Sequence, residues 1–287
     1  MKIAYYPGCS NHGTSREFEM SAFAVFKDLG VELEEVPDWV CCAASPGHHH
    51  SKLLSVSLGA YNLSQAKPLN LPVLTTCAAC YSRLSAANYE IKHDEKLAAR
   101  VAEAVEEPYD GSVEVRHIVD FLADDVGLEE IQKKVHRRLE GLKVACYYGC
   151  LLTRPPDYAV VDDTEEPRKM ERILESVGAE PVDWSHRTEC CGAAFPFSRV
   201  DIVENLAAKI LVAADNVSAD CIAVACPMCH ANLDMRQSGA GRIAGKKLRI
   251  PIVYLTELIG LAYGHKPREL GLNMHLVPTR SVSARFS

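Results

Sequence analysis

Two features that mark whole classes of protein are missing from this sequence: an excess of positive charge and a long apolar run. Its 31 Lys and Arg residues are outnumbered by 38 Asp and Glu residues, which gives a formal net charge of −7. Proteins that bind the phosphate backbone need the opposite balance, so we expect no nucleic-acid partner. The stretch that comes nearest to a membrane span, residues 250–263, contains Glu257 and is shorter than the ~20 residues that a transmembrane helix needs.

A signal peptide is not expected either, because Pro7-Gly8-Cys9 interrupts any apolar segment near the amino terminus. We therefore expect a cytoplasmic protein, in which thiols stay reduced. The 287 residues are 48% hydrophobic and 24% charged, which is typical of a globular protein with one or two domains. Twelve cysteines in a reducing compartment need an explanation other than disulfides, and metal binding is the usual one.

Ten of the cysteines form two sets with the same spacing. The first set is Cys9, Cys41, Cys42, Cys77 and Cys80, and the second is Cys150, Cys190, Cys191, Cys226 and Cys229. Positions 41, 42, 77 and 80 plus 149 give 190, 191, 226 and 229, whereas 9 maps to 150 with an offset of 141, so that 149 − 141 = 8 residues are inserted after Cys150. The sequence is therefore an internal repeat. Cys146 and Cys221 have no counterpart, and we expect them to be buried core residues.

Strand and helix patterns alternate within each repeat. Short apolar runs predict strands at 2–6, 72–76, 113–115, 143–148, 222–225 and 252–254. This alternation predicts two repeated α/β units with mainly parallel sheets, related by a pseudo-two-fold axis. Cys77 and Cys226 directly follow strands, so we expect the thiols at the carboxyl ends of the strands, where such folds form their sites.

The same patterns predict the domain organisation. We place the first repeat at 1–127, a linking helix at 128–142, the second repeat at 143–265 and a tail without a recognisable motif at 266–287. The helix is predicted because Leu128, Ile131, Val135, Leu139 and Leu142 have helical spacing.

Five thiols in each repeat favour an iron–sulfur cluster. Thiolates select zinc, copper(I) or iron–sulfur clusters, and a structural zinc needs only four ligands. Adjacent cysteines such as Cys41-Cys42 point in different directions and suit an object with several metal atoms better than one tetrahedral ion. Zinc, and dithiol redox chemistry at Cys77-x-x-Cys80, remain alternatives at this point.

The doubled pattern, about residues 1–265, resembles the tandem cysteine-rich CCG domains of the B subunit of heterodisulfide reductase. In this sequence it reads Cys9…Cys41-Cys42…Cys77-x-x-Cys80 and Cys150…Cys190-Cys191-Gly192…Cys226-x-x-Cys229. The resemblance implies two noncubane [4Fe-4S] clusters, one per repeat, each held by all five cysteines. It also implies reduction of a disulfide bound between them, such as the mixed disulfide of coenzymes M and B. The first repeat departs from the pattern at Ala43, where the second has Gly192.

The partners are predicted from the resemblance and from a cysteine motif that the sequence lacks. The chain has no Cys-x-x-Cys-x-x-Cys-x-x-x-Cys-Pro run of the ferredoxin type. Electrons must then arrive through another polypeptide, and the resemblance implies a ferredoxin-like C subunit and a flavin-containing A subunit. Two interpretations compete with disulfide reduction: a non-catalytic iron–sulfur module that only relays electrons, and a zinc-stabilised scaffold.

Other side chains are candidates for proton supply and substrate binding. His48, His49 and His50 follow the first Cys-Cys pair and His230 follows Cys229, and histidine can donate protons near neutral pH. Arg83 and Arg154 are candidate anchors for an anionic substrate. The inserted residues 151–163 are interpreted either as a cover over the cleft or as an ordinary surface loop.

Overall fold

Two four-stranded parallel sheets form the framework of the protein. The structure, a computed structural model, describes residues 1–44, 46–106 and 108–286. The strands are β1 (Lys2–Tyr5), β2 (Glu32–Glu35), β3 (Val73–Thr75), β4 (Val115–His117), β5 (Lys143–Tyr147), β6 (Glu180–Pro181), β7 (Cys221–Val224) and β8 (Ile252–Tyr254). Their order is β2-β1-β3-β4 in the first sheet and β6-β5-β7-β8 in the second. The prediction of two repeated α/β units with parallel sheets is confirmed.

Helices connect the strands of both sheets. The α-helices of the first repeat and the link are α1 (Gly8–His12), α2 (Arg16–Asp28), α3 (Pro46–His50), α4 (Lys52–Ala66), α5 (Ala78–His93), α6 (Glu95–Val105), α7 (Ile118–Asp120) and α8 (Leu128–Lys133), with a 3-10 turn at Lys67–Leu69 and a π-helix at Phe121–Gly127. Those that follow are α9 (Lys169–Ser176), α10 (Val200–Asn216), α11 (Pro227–Met235), α12 (Gln237–Ala244), α13 (Leu255–Ala262) and α14 (Arg280–Ser283). None of these described helices is both long and apolar enough to cross a bilayer.

Two edge strands escaped prediction, and one strand is displaced. β2 reads Glu-Leu-Glu-Glu and pairs only with β1, and the two-residue β6 pairs only with β5. Edge strands of this kind carry no hydrophobic run, so the sequence pattern gives no signal. The strand expected at 113–115 begins instead at Val115 and pairs with β3 in parallel.

The linking segment is not one long helix. α8 ends at Lys133, so the prediction of a helix through residue 142 is wrong. The backbone N–H groups of His136 and Arg137 each donate to the carbonyl of Ala262 at 2.9 Å, and that of Leu139 donates to Val177 at 3.0 Å. These bonds to the ends of other helices replace the i to i−4 bonds of a continuing helix. Leu139 is fully buried. Its hydrophobic character therefore reflects its place in the core and not the face of a continuing helix.

The two repeats pack reciprocally. In the first repeat α2 lies against α13 of the second, where the Phe18 and Tyr254 rings stack with centroids 4.0 Å apart and the hydroxyls of Ser21 and Thr256 are 2.7 Å apart. In return α9 of the second repeat lies against α7 and the π-helix of the first. In each repeat, the helix that precedes the second strand (α2 or α9) packs against the helical segment after the last strand of the other repeat. This exchange is the packing that a pseudo-two-fold axis produces.

The carboxyl-terminal segment is part of the fold. Leu270 and Val282 are fully buried, and Leu272 and Phe286 are nearly so. The carboxylate of Asp234 accepts hydrogen bonds from the backbone N–H groups of Leu276 and Val277 at 2.8 and 3.0 Å. Residues 266–286 therefore lie against the body of the protein; Ser287 lies outside the described residues.

Leu270 tests this packing. We expect Leu270→Ala to lower the free energy of unfolding by about 2–5 kcal/mol, since truncation of a fully buried leucine leaves a cavity. Leu276→Ala is the matched control because that side chain is 66% exposed. Urea unfolding of both variants measures the difference, and equal stabilities would contradict the packing.

Candidate functional site

The fold collects the five predicted cysteines of each repeat at the carboxyl end of its sheet. In the first repeat Cys9 lies in α1, which follows β1, and Cys41-Cys42 lies in the loop after β2. Cys77 precedes α5 directly and Cys80 lies in its first turn. In the second repeat Cys226 and Cys229 occupy the same places around α11.

The thiols lie in close pairs. The Sγ atoms of Cys9 and Cys41 are 3.7 Å apart, and those of Cys42 and Cys80 are 3.3 Å apart. In the second repeat the Sγ atoms of Cys191 and Cys229 are 3.5 Å apart, which matches the Cys42–Cys80 pair at the equivalent positions. The second cysteine of the Cys-Cys pair and the last cysteine of the Cys-x-x-Cys pair thus lie together in both repeats.

Each site is buried on one side and open on the other. Cys9, Cys41 and Cys190 are exposed and Cys150 is half-buried. The remaining cysteines of the two sets, Cys42, Cys77, Cys80, Cys191, Cys226 and Cys229, are buried. A group bound by these thiols would rest on the interior of the protein and keep one face accessible.

The two sites meet at their buried ends. The thiols of Cys77 and Cys226 interact with each other, which raises the pKa of Cys77 and lowers that of Cys226. Since one belongs to each repeat, the packing of the repeats brings the buried ends of the two sulfur sites next to each other.

Cys146 and Cys221 lie elsewhere. Both are fully buried within β5 and β7, and burial raises the pKa of each thiol. They pack as core residues, as expected from their lack of repeat counterparts.

A glycine makes room for sulfur in each repeat. Gly8 has a φ of +65°, and a Cβ at this position would lie 3.0 Å from Sγ of Cys80. Gly149 has a φ of +66°, and its Cβ would lie 3.1 Å from Sγ of Cys229. Both the backbone conformation and the closeness of the sulfur therefore require glycine.

A buried tyrosine holds each Cys-Cys pair. Tyr6 donates its hydroxyl to the carbonyl of Val40 at 2.7 Å, and Tyr147 donates to the carbonyl of Glu189 at 2.6 Å. Val40 and Glu189 immediately precede Cys41 and Cys190. Sequence reasoning missed this role, although the repeated Tyr-x-Gly-Cys pattern at 6–9 and 147–150 is the signal that carries it.

The residue after each Cys-Cys pair turns the chain back over the sulfur. Ala43 has a φ of +51° and Gly192 of +79°, and their N–H groups donate to Sγ of Cys41 and Cys190 at 3.4 and 3.3 Å. This left-handed conformation explains why a glycine follows the second pair. A Cβ on Gly47 would lie only 2.7 Å from the Cβ of Ala43, so the methyl group of Ala43 requires a glycine four residues later.

The thiols share protons in pairs. Hydrogen bonds from Cys41 and Cys80 hold the pKa of Cys42 well below its usual range, and those from Cys229 and Cys77 do the same for Cys226. A hydrogen bond from Cys150 lowers the pKa of Cys190 to about 6. Thiolates are thus favoured at three positions, and binding of a metal must release the protons of the rest.

These residues fit an iron–sulfur cluster better than a single ion. Among the described residues, no three His, Cys, Asp or Glu side chains converge as the ligands of one metal ion. Each repeat instead spreads five soft thiol donors around a space kept open by glycine, with backbone N–H groups directed at sulfur. Donors of this type and number suit a thiolate-bound cluster with several iron atoms.

The predicted histidines divide into two groups. His48, His49 and His50 are exposed on the short helix α3, beside the first site. Partial desolvation of the ring, with the nearby charge of Arg83, lowers the pKa of His48. His230 is buried, stacks on the Tyr254 ring at 4.5 Å, and has its pKa lowered by burial to about 3, so it is neutral at physiological pH.

His230 ends a buried polar chain that reaches the carboxyl-terminal segment. Its Nε2 is 2.9 Å from Nδ1 of His275, and Nε2 of His275 is 2.7 Å from the carboxylate of Glu257. Burial alone would lower the pKa of His275, but the carboxylate of Glu257 outweighs it and raises the pKa to about 9. This chain ties residues 266–286 to the helix that carries Cys229.

The two predicted arginines occupy different surroundings. Arg83 is half-buried near Cys42 and His48, and Ser82 Oγ at 3.2 Å is its hydrogen-bond acceptor; within the described residues no carboxylate pairs with it. Arg154 is exposed and lies 3.5 Å from both Glu165 and Thr188. Of these two arginines, only Arg83 lies beside one of the ten predicted ligand cysteines.

The inserted residues 151–163 reach across to the first repeat. The rings of Tyr158, in the insertion, and Tyr89, in α5, lie 5.6 Å apart. Leu152, Ala159 and Val161 of the insertion are buried. The insertion is therefore packed against the helix that begins at the first Cys-x-x-Cys, which sets it apart from an ordinary surface loop.

Fold and site together define a protein with two cysteine-rich domains in tandem, whose thiols suit iron–sulfur clusters. The profile of the CCG cysteine-rich domain matches residues 3–85 and 144–234. Because it is also 31% identical to a B subunit of heterodisulfide reductase over 99% of its length, the chain belongs to the family of heterodisulfide reductase B subunits.

Known relatives match over almost the whole chain. The 8-methylmenaquinol:fumarate reductase membrane anchor subunit of Wolinella succinogenes is 34% identical, with 96% of this chain and 97% of the relative covered. The B subunit of the ferredoxin/F(420)H(2)-dependent CoB-CoM heterodisulfide reductase of Methanosarcina acetivorans is 31% identical, with 99% and 97% covered. These relatives support an oxidoreductase family with an iron–sulfur role.

A solved structure shares the fold. The crystal structure of a hypothetical protein from Helicobacter pylori superposes with a TM-score of 0.73 at 12% sequence identity. The match covers 97% of this chain and 52% of that one. At this identity the likeness concerns the fold alone.

Gly8 tests the space beside Cys80. We expect Gly8→Ala to lower the iron content of anaerobically purified protein, because the added methyl group lies 3.0 Å from the sulfur. Gly30→Ala is the matched control: its φ is +67°, but nothing lies within 4 Å of the added Cβ. Iron and sulfide analysis distinguishes the two variants, and full iron content in Gly8→Ala would show that the space is not needed.

His275 predicts a pH dependence of stability. Because its folded pKa is raised to about 9, its contribution is complete below the unfolded value of ~6.5 and is lost as the pH rises through the folded value. We expect wild type to exceed His275→Gln by about 3 kcal/mol near pH 6, since each pKa unit corresponds to ~1.4 kcal/mol, and by less above pH ~9. Urea unfolding across this range is the measurement, with the exposed His136→Gln as control. A difference that does not change with pH would contradict the assignment.

Proposed function

We propose that the chain is the catalytic component of a heterodisulfide reductase-like complex. In this role it reduces a disulfide, such as the CoB-CoM heterodisulfide named for its relatives, to two thiols at two noncubane [4Fe-4S] clusters. The observation that carries the proposal is the pair of five-thiol sites that meet through Cys77 and Cys226.

The duplication suits the electron count of the reaction. Reduction of one disulfide bond consumes two electrons and two protons and releases two thiols. When bound, an iron–sulfur cluster exchanges one electron at a time. Two sites in contact within one chain would let both electrons reach one disulfide without release of a half-reduced product.

Each cluster would be held by the five cysteines of its repeat. Those of the first are Cys9, Cys41, Cys42, Cys77 and Cys80, and those of the second are Cys150, Cys190, Cys191, Cys226 and Cys229. The exposed thiols Cys41 and Cys190 mark the open side, on which we place the disulfide.

The neighbouring charges suggest how the substrate is bound and protonated. Arg83 is the better anchor for an anionic substrate, because it lies near Cys42 without a carboxylate partner among the described residues. Arg154 would take part only if the substrate extends toward Glu165.

His48, His49 and His50 are exposed beside the first site and are the proposed proton donors. His230 is the weaker candidate since burial keeps it neutral.

The proposed complex has further polypeptides. We propose a ferredoxin-like C subunit and a flavin-containing A subunit as electron donors, and the cytoplasm as the location. The support is that relatives covering almost the whole chain are named as subunits of multisubunit reductases. The open side of the sites leaves room for such a donor.

A second candidate function is an electron relay without catalysis. It is favoured by the Wolinella succinogenes relative, whose name gives a methylmenaquinol and fumarate as reactants. In that role the two clusters would pass electrons between partner subunits and would bind no disulfide.

Anaerobic purification followed by electron paramagnetic resonance separates these functions. We expect iron and sulfide in the protein, and a change in the paramagnetic signals when the CoB-CoM heterodisulfide or another candidate disulfide is added to the reduced protein, because the disulfide takes electrons from the clusters. Iron-containing protein whose paramagnetic signals do not change with any disulfide would support the relay. Colourless protein with two zinc ions and no iron would establish the scaffold and reject both redox functions.

Loss of one site tests the need for two. We expect Cys190→Ala to abolish disulfide reduction, because one electron cannot complete the reaction. Cys221→Ala is the matched control, since that thiol is fully buried in β7 and is not a proposed ligand. Turnover is measured with an artificial one-electron donor in place of the partner subunits, and full activity of Cys190→Ala would reject the two-site reaction.

A further inference from the structure

Asn232 is a buried polar residue beside the second site that has no part in the proposed reaction. It lies in α11, three residues after Cys229, so the two side chains lie on the same face of that helix. Only 4% of its surface is exposed. Side-chain amides are seldom buried this deeply unless they hydrogen-bond inside the protein. The amide of Asn232 is therefore expected to hold a specific neighbour in place.

The amide of Asn232 contacts Cys191 at two atoms. Its Nδ2 donates to the carbonyl oxygen of Cys191 at 3.0 Å and lies 3.9 Å from the Sγ atom of the same residue. A carbonyl oxygen can only accept a hydrogen bond, so the nitrogen of the amide, and not its oxygen, must face Cys191. This nitrogen carries two hydrogens. One is used by the carbonyl group, and the other is available to the sulfur.

The sulfur of Cys191 has both a predicted ligand and this amide as neighbours. Sγ of Cys229 is 3.5 Å away, and Nδ2 of Asn232 is 3.9 Å away. The preceding thiol, Cys190, has a donor of its own, because the backbone nitrogen of Gly192 lies 3.3 Å from its sulfur. Both adjacent cysteines of the second repeat are thus supplied with an N–H donor, one from the backbone and the other from a side chain.

We propose that Asn232 is a positioning residue for the second cluster, because it holds Cys191 against α11 and donates a hydrogen bond to the sulfur of that cysteine when a cluster is bound. The inference rests on the proposed function, since it requires that Cys191 is a cluster ligand. A ligand cysteine is a thiolate, and hydrogen bonds to a charged acceptor are stronger than those to a neutral one. An N–H donor to a ligand sulfur stabilises the more negative, reduced state and so raises the reduction potential.

The first repeat has no amide at the equivalent position. The offset of 149 that relates the cysteines also relates Asn232 to Arg83, since 232 − 149 = 83. Arg83 is half-buried and donates to Ser82 Oγ at 3.2 Å, and within the described residues no hydrogen bond joins it to sulfur. The side-chain donor is therefore a feature of the second repeat. A change at Asn232 should affect one cluster and leave the other as it is.

Replacement of the amide by an apolar side chain tests the proposal. Asn232→Leu removes the donor, adds no charge and keeps the branched shape of the side chain. At a fixed potential we expect about a tenfold lower ratio of reduced to oxidised second cluster, which for a one-electron couple corresponds to about 59 mV. The other cluster should titrate as it does in the wild type.

Redox titration followed by electron paramagnetic resonance gives the ratio, and iron analysis shows whether each variant is loaded. Asn88→Leu is the matched control, because Nδ2 of Asn88 also donates to a backbone carbonyl, that of Val113 at 2.7 Å, and has no sulfur partner among the described residues. Unchanged potentials in a fully loaded Asn232→Leu, or an equal shift in Asn88→Leu, would overturn the inference and leave the proposed function intact. Absence of iron from the wild type would overturn both.

A measurement on the wild type covers the case in which the variant loses its cluster or does not fold. With 15N in the side-chain amide of asparagine, pulsed electron paramagnetic resonance of the reduced protein should show a weakly coupled nitrogen at one cluster. No coupled amide nitrogen would contradict the hydrogen bond. A coupling that persists in a loaded Asn232→Leu would assign the nitrogen to another asparagine, such as Asn11, and contradict it equally.

Discussion

The crowding of sulfur atoms at the ends of two sheets is the constraint on which the rest of the structure depends. Thiols 3.3 to 3.7 Å apart, partly out of water, cannot all carry charge without a cation among them. Neighbours such as Cys42 and Cys80 share protons instead. A bound cluster would replace those protons with iron, so the same contacts that disfavour free thiolates favour the loaded state.

Holding the sulfur atoms in place requires support that is not itself a ligand. Tyr6 and Tyr147 fix the backbone before each Cys-Cys pair, and Gly8 and Gly149 leave the space that sulfur occupies. These supports occur in both repeats at equivalent positions. The duplication therefore preserved a complete site with its surroundings, and not only a set of cysteines.

The repeats differ in the residues that follow their Cys-Cys pairs. After its Cys-Cys pair the first repeat carries the exposed His48, His49 and His50, whereas the second carries Phe195 and Phe197, which are 40% and 96% exposed. The buried ends differ as well, with a histidine in one sheet and a tyrosine in the other at equivalent positions. Two sites of similar construction therefore lie in unlike surroundings.

The sequence by itself determined the repeat, the parallel α/β class and the two sets of five cysteines, because fixed spacing and hydrophobic periodicity are properties of a linear pattern. It did not reveal the edge strands, since their residues carry no periodic signal. It also led to the wrong prediction of a helix through Leu142, because buried leucines beyond the end of α8 have the same spacing as one face of a helix. Only the tertiary structure decided that Cys77 lies beside Cys226, that the inserted residues 151–163 pack against α5 and that the carboxyl-terminal segment is tied in through His275. These contacts join residues far apart in the chain, and they depend on how two packed units are oriented, which no local pattern encodes.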